Sequence, residues 1–212
     1  MKKYKYILLD WDGNLAKTLD VWLDAIRVVL EDYGVTKTDE EIAASFGGFD
    51  EYMKKWGIAN YEEAISKADF IVKQKLPEVE LYPDALEVLE NLHSNGHKLA
   101  LITTSPHENV DHLLNKHSLS AFFDAVIAAD DTTHHKPHPE PLELALHELG
   151  GVKETAVMVG DSDKDLGAAK NAGIDSILFY PKDHAKFYDL EKLQLLEPTY
   201  VVSDFREVID IV

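Results

Sequence analysis

The chain has 212 residues, 45% of them hydrophobic, which is enough for one good core and a smaller second module. Its formal charge of −18 repels nucleic-acid phosphates and anionic membrane surfaces, so neither is an expected partner; without cysteine it has no disulfide, thiolate metal site or cysteine nucleophile. No apolar run approaches the roughly 18 residues of a membrane span, and MKKYKYILLD turns acidic before a signal-peptide core could form, so a cytoplasmic protein is expected.

The first element is YILL (6–9), four apolar residues that read as a strand buried on both faces. It runs directly into Asp10, Asp12 and Gly13. Two like charges at the mouth of a buried strand resist desolvation, so either solvent at an open turn or a counter-charge has to stabilise them. From Leu15 to about Glu80 the strand-like runs stop. VWLDAIRVVLEDYG puts Val21, Trp22, Ala25, Ile26, Val29 and Leu30 on one helical face and ends at Gly34, while TDEEIAASF and YEEAISKADFIVKQ continue in helical pattern. Residues 16–80 are therefore expected to form an all-helical insert, with 1–15 and 81–212 making up a second unit.

Beyond the insert, PDALEVLENLHSNG predicts a helix bounded by Pro83 and Gly96, with Leu86, Leu89 and Leu92 at three-residue spacing. Five further apolar runs follow, LALI (99–102), AVIA (125–128), AVMV (156–159), SILF (176–179) and TYVV (199–202), separated by helical patterns. Strands alternating with helices predict an α/β fold, a parallel sheet covered on both faces. KDHAKFYDLEKLQLLEP reads only as a loop and short helix before the last strand.

Ligands of an open α/β sheet bind beyond the carboxyl ends of its strands, and polar residues gather at those ends here. LALI is followed by Thr103, Thr104 and Ser105; AVIA by Asp130, Asp131, Lys136 and Pro137; AVMV by Gly160, Asp161, Ser162, Asp163, Lys164 and Asp165. Four carboxylates on one rim, Asp10, Asp12, Asp161 and Asp165, suit a hard cation such as Mg²⁺. A threonine hydroxyl and a lysine ammonium supply the donor and charge that a transferring phosphoryl group needs.

In this order the motifs resemble those of the haloacid dehalogenase superfamily. DWDGNL resembles its Asp-x-Asp-Gly-Thr-Leu motif, ITTS its second, HHKPHPEP its Lys-Pro third and VGDSDKDLGAAKNAG its fourth. LYPDALEVLENLHSNGHKLALITTS and the helical insert are similar to the branch with an inserted helical cap, which includes phosphoglycolate phosphatases and β-phosphoglucomutase. The resemblance implies a Rossmann-like core with the first strand central, and Mg²⁺-dependent hydrolysis of a small phosphorylated metabolite through an aspartyl phosphate. It implies Asp10 as nucleophile, Asp12 as acid then base, Thr103 as a hydrogen-bond partner of phosphate and Lys136 as the cation that neutralises phosphate and holds Asp10. The ion falls to Asp10, the backbone carbonyl of Asp12, and Asp161, with Asp165 as a ligand or directly behind.

Gly13, Asn14, Thr104 and Lys17 are candidate substrate contacts. Asn14 stands where the family has threonine and Lys17 where it usually has an acid, so Lys17 is either a solvated lysine or a cation attracting an anionic substrate. Lys54 and Lys55 are open to the same two readings. Helical spacing assigns most of Trp22, Phe46, Phe49, Tyr52 and Trp56 to the core of the insert rather than to a substrate pocket. His134, His135 and His138 fit no standard zinc spacing and read as a loop. A phosphomutase of the β-phosphoglucomutase type is the alternative function, and a phospho-acceptor signalling module is disfavoured by the long insert. Dehalogenation is disfavoured by the acid/base residue Asp12. A monomer and a homodimer are both compatible with the sequence.

Overall fold

The computed structural model describes residues 3–46 and 48–212; residues 1 and 2 of the expected 1–15 segment, and Gly47 of the helical insert, lie outside the described residues. The chain runs β1 (Tyr6–Leu9), α1 (Leu19–Asp32), α2 (Asp39–Ala43), α3 (Phe49–Lys55), α4 (Tyr61–Lys75), α5 (Ala85–Ser94), β2 (Lys98–Ile102), α6 (His107–Lys116), β3 (Ala125–Ile127), α7 (Glu140–Glu148), β4 (Ala156–Gly160), α8 (Asp163–Ala172), β5 (Asp175–Phe179), α9 (Leu190–Gln194), β6 (Tyr200–Val202) and α10 (Glu207–Ile211). Each apolar run of the sequence becomes a strand to within a residue or two.

The strands form one six-stranded sheet in the order β3-β2-β1-β4-β5-β6, every neighbouring pair parallel. Side chains alternate between faces of a strand, so unbroken apolar runs fill two cores at once. Ile7 and Leu9 of β1 join Leu99, Leu101, Val157 and Val159 in one cluster, while Tyr6 and Leu8 join Ala100, Ile102 and Met158 in the other. Parallel strands bring all their carboxyl ends to one rim, and the strand order reverses between β1 and β4, which opens a crevice there.

In α5 (Ala85–Ser94) the leucines at three-residue spacing do not share one face. Its buried face is Ala85, Val88, Leu89 and Leu92, whereas Leu86 is 42% exposed. A repeat of three drifts around a helix of 3.6 residues per turn, so the i, i+3, i+4, i+7 set faces the sheet instead.

Helices α1 to α4 surround a cluster of their own that includes Leu23, Ile26, Val29, Ile42, Met53 and Ala68, completed by Phe187 from the segment after β5. The chain leaves for this helical region and returns along adjacent paths. The Lys17 amide donates to the Glu80 carbonyl at 2.9 Å, the Tyr82 amide to the Leu15 carbonyl at 2.9 Å, and Ala16 forms an antiparallel bridge with Leu81. Among the described residues no helix is long and apolar enough to cross a membrane.

Candidate active site

The site grows from the end of β1. The Asp10 amide continues the ladder by donating to the Val159 carbonyl at 2.9 Å, which fixes Asp10 between β2 and β4. The chain then turns sharply, with the amides of Leu15 and Ala16 both donating to the Trp11 carbonyl. Gly13 has φ +76°, and a Cβ there would stand 2.3 Å from Asp161 Oδ2, so the turn can press against Asp161 only because this residue has no side chain. At the end of β4, Gly160 plays the same part for Asp165, whose Cγ would lie 2.4 Å from an added Cβ. Asp165 then reaches back from the first turn of α8, its Oδ2 accepting from the Ser162 amide at 3.1 Å and the Ser162 hydroxyl at 2.6 Å.

Lys136 enters from the loop after β3 and joins these pieces. Its ammonium donates to Asp10 Oδ1 at 2.5 Å, Asp165 Oδ1 at 2.6 Å and the Ile102 carbonyl at 3.2 Å. Carboxylate oxygens of Asp10, Asp161 and Asp165 lie within 4.8 Å of one another, and these four side chains are all buried. Burial, reinforced by the charge of Asp165 and only partly opposed by Lys136, pushes the Asp10 carboxyl up to about 8. Burial and the charges of Asp165 and Asp10 likewise hold Asp161 well above the usual carboxylate range. For Lys136, burial alone would favour the neutral amine, but the charges of Asp10 and Asp165 outweigh it and hold the ammonium.

If fully ionised, three carboxylates against one ammonium leave two negative charges without a counter-charge, and Asp161 Oδ2 is buried with no hydrogen-bond partner. A divalent, oxygen-seeking cation fits that deficit in charge and in ligand chemistry. The fit favours Asp10 and Asp161 as its ligands. Asp165 differs from them in that both its oxygens already accept hydrogen bonds, Oδ1 from Lys136 and Oδ2 from Ser162.

Asp12 lines the same cavity but takes its hydrogen bonds from outside this cluster. Its Oδ1 accepts from the Trp22 indole N–H at 3.1 Å, and its Oδ2 from the hydroxyls of Ser105 at 2.9 Å and Thr103 at 3.4 Å. The Ser105 amide in turn donates to Thr103 Oγ1 at 3.0 Å, locking the turn after β2. Between Asp10, Asp12, Asp161 and Lys136 below and α1 to α3 above lies a cavity of about 120 Å³, which Thr104, Ser105 and Tyr188 also line.

The structure therefore brings Asp10, Asp12, Gly13, Thr103, Thr104, Lys136, Asp161 and Asp165 to one rim. Asn14 and Lys17 do not line that cavity. Asn14 is fully buried beneath the turn and donates from Nδ2 to the Asp10 carbonyl at 3.0 Å, so it braces the backbone of Asp10. Lys17 follows the turn outward, is exposed, and places its ammonium 5.8 Å from the centre of the Tyr82 ring beside a different hollow. His134, His138 and Glu140 do converge, with ligand atoms within 4.8 Å, but His135 stands outside the group. The Glu140 carboxylate there accepts from the amides of Thr133 and His134, both at 3.0 Å, and so ties down the loop before α7.

Four side chains went unassigned from the sequence. Ser105 had a local signal, since it lies two residues after Thr103, and Trp22 sat on a helix face that reads as core. Tyr188 and His184 come from the stretch after β5, which carries no motif. His184 is completely buried, bonds Tyr82 Oη through Nε2 at 2.8 Å, and holds Nδ1 3.9 Å from Asp161 Oδ2. Burial pushes its imidazole down to about 4, so it stands neutral behind Asp161.

Residues 7–179 match the haloacid dehalogenase-like hydrolase family. Pyrophosphatase PpaX of Halalkalibacterium halodurans is 31% identical over 211 residues, covering 97% of this chain and 95% of that protein. Among solved structures, a haloacid dehalogenase-like hydrolase from Bacteroides fragilis superposes with a TM-score of 0.84 at 28% identity, covering 97% of this chain and all of the other. A protein described as a phosphoglycolate phosphatase from Lactobacillus plantarum gives a TM-score of 0.86 at 21% identity over the full length of both chains, a likeness of fold.

Proposed function

This chain belongs to the haloacid dehalogenase-like hydrolases, and from that premise we propose that it is a Mg²⁺-dependent phosphatase of small phosphomonoesters, working through an aspartyl phosphate on Asp10. That it is a phosphohydrolase follows from the family and from its relatives. The observation that carries the finer reading is the buried cluster in which Lys136 binds Asp10 and Asp165 while Asp161 keeps an unpartnered oxygen.

In this reading Asp10 attacks phosphorus, the bond to the ester oxygen breaks, and the departing oxygen takes a proton from Asp12. Asp12, now a carboxylate, then takes a proton from water as the water oxygen attacks phosphorus. The Asp10–phosphorus bond breaks, restoring the Asp10 carboxylate and releasing inorganic phosphate. Asp12 suits both steps because three donors, from Trp22, Ser105 and Thr103, hold it in place. Lys136 orients Asp10 and offsets negative charge on the phosphoryl group, with Asp165 fixing the lysine. Mg²⁺, held by Asp10, Asp161 and the backbone carbonyl of Asp12, would supply the positive charge that allows an anionic carboxylate to meet an anionic phosphate.

Residues 16–80 act as a cap over a core of 1–15 and 81–212, and the paired segments at Leu15–Lys17 and Glu80–Tyr82 support a hinge at that junction. The name of the curated relatives favours a second reading, pyrophosphate as substrate, in which phosphate is the leaving group and the same residues serve. Phosphate release from a panel of monoesters and pyrophosphate, with Mg²⁺ and with chelator, tests both. We expect release only with Mg²⁺ and a fall of at least about 10³ in Asp10→Asn. Metal-independent release, or full activity of that variant, would overturn the mechanism, and an isomerised sugar phosphate in place of free phosphate would assign a mutase.

A further inference from the structure

The floor of the cavity is charged and its roof is not. Over Asp10, Asp12, Asp161 and Lys136 the helical region presents Leu19, Trp22 and Ile26 of α1, Ala43 of α2, and Phe46 and Phe49 at and before the start of α3. The one polar atom among these six side chains, the Trp22 indole N–H, is already committed to Asp12. Cations of the same region are engaged elsewhere and do not line the cavity: Arg27 with Asp24 and Asp39, both at 2.6 Å, Lys54 with Asp50 at 3.4 Å, and Lys55 over the Tyr52 ring at 5.4 Å. On the core side, Lys164 reaches the lining but is paired with Asp163 at 2.8 Å.

A phosphoryl group seated on this floor directs its ester oxygen toward Asp12, and therefore its leaving group toward the roof. A leaving group with its own carboxylate or phosphate would be desolvated there against aliphatic and aromatic carbon, close to Asp12, with no cation among the described residues of the roof and with the lining's Lys164 already paired with Asp163. An uncharged hydrocarbon chain meets the opposite situation, since each buried methylene is favoured.

Resting on the phosphatase reading above, we propose that this chain selects phosphomonoesters whose leaving group is an uncharged, apolar alcohol, and that Ile26, Phe46 and Phe49 make the selection against leaving groups bearing a second anion. The test is a series of n-alkyl phosphates from methyl to butyl, alcohols of nearly equal acidity, run beside 2-phosphoglycolate and pyrophosphate with Mg²⁺. We expect kcat/KM to rise with chain length by up to about fourfold per methylene. Propyl phosphate should exceed 2-phosphoglycolate, of similar size, by about a hundredfold or more. If 2-phosphoglycolate or pyrophosphate equals or exceeds butyl phosphate while release stays Mg²⁺-dependent, this inference falls and the phosphatase reading stands; if no compound of either kind is hydrolysed, both fall. Phe49→Arg, which puts a cation into the roof, should shift the ratio of 2-phosphoglycolate to butyl phosphate by at least about tenfold toward the anion. An unchanged ratio in a variant with native circular dichroism would remove Phe49 from the selection, and the wild-type series decides alone if the variant does not fold.

Discussion

Replacing Lys136 by methionine removes a charge while keeping most of the buried volume, and so isolates the electrostatics of the acid cluster. The ammonium makes two charge-assisted bonds, at 2.5 and 2.6 Å, to carboxylates that are almost completely inaccessible to solvent. Breaking a buried pair by deleting one member costs about 3–5 kcal/mol, because the surviving charge is left uncompensated. Here three carboxylates survive, so the upper half of that range is expected in chelator at alkaline pH. The deficit should shrink on acidification, because Asp10, held up to about 8 by burial and its acidic neighbours, takes up a proton and removes one of the repelling charges. Urea unfolding followed by circular dichroism, in chelator and across pH, measures the difference, and Mg²⁺ should return part of the lost stability. Turnover should fall by at least about a hundredfold, as expected when a positioned charge on the transferring group is lost. A variant that matches the parent in chelator at high pH, or keeps turnover within tenfold, would refute the view that one lysine holds the cluster together.

Gly13→Ala should cost about 1–2 kcal/mol for the left-handed backbone and a further roughly 1–3 kcal/mol for overpacking, since the new Cβ would meet Asp161 Oδ2 at 2.3 Å and Leu19 Cδ1 at 2.9 Å. A loss below about 1 kcal/mol by urea unfolding would contradict this. Trp22→Phe keeps the ring in the roof but withdraws the N–H from Asp12 Oδ1; kcat should drop about tenfold with KM little changed, and steady-state kinetics with unaltered kcat would exclude a positioning role. Asp124 carries a pH dependence far from the site: burial would raise its carboxyl, but Lys98 and the Leu99 amide prevail and hold it below the ordinary 3.8. Its contribution is complete above that value and vanishes as pH falls through the folded one, so Asp124→Asn should cost about 1 kcal/mol at pH 7 and almost nothing in strong acid. An equal loss at both pH values by denaturant titration would show that the charge is not responsible.

The strands were legible because a strand buried on both faces must be apolar at every position, and no other short pattern in the chain looks like that. In α5 the leucines three apart are not one stripe, because a period of 3.6 carries Leu86 out to solvent. Asp84, just before that helix, adopts φ +65°, a conformation that favours glycine and that no local pattern announced. In the site, Asp10, Lys136, Asp161 and Asp165 could be gathered in advance because parallel strands deliver their carboxyl ends to a common edge. Lys17 could not be placed, since its direction depends on how the turn after Asp12 leaves the sheet. His184 and Tyr188 had no local signature at all: they reach Asp161 and the cavity only because the segment after β5 folds back under the helices.

The side-by-side passage of Leu15–Lys17 and Glu80–Tyr82 means that the sheet meets the whole helical excursion as though it were the tip of a hairpin. That pairing returns the chain beside the end of β1, so the path on to β2 does not have to span the detour. The roof can therefore vary in length and content while Asp10, Asp161 and Asp165 keep their places on the core, whereas Asp12 is tied to it through the Trp22 indole.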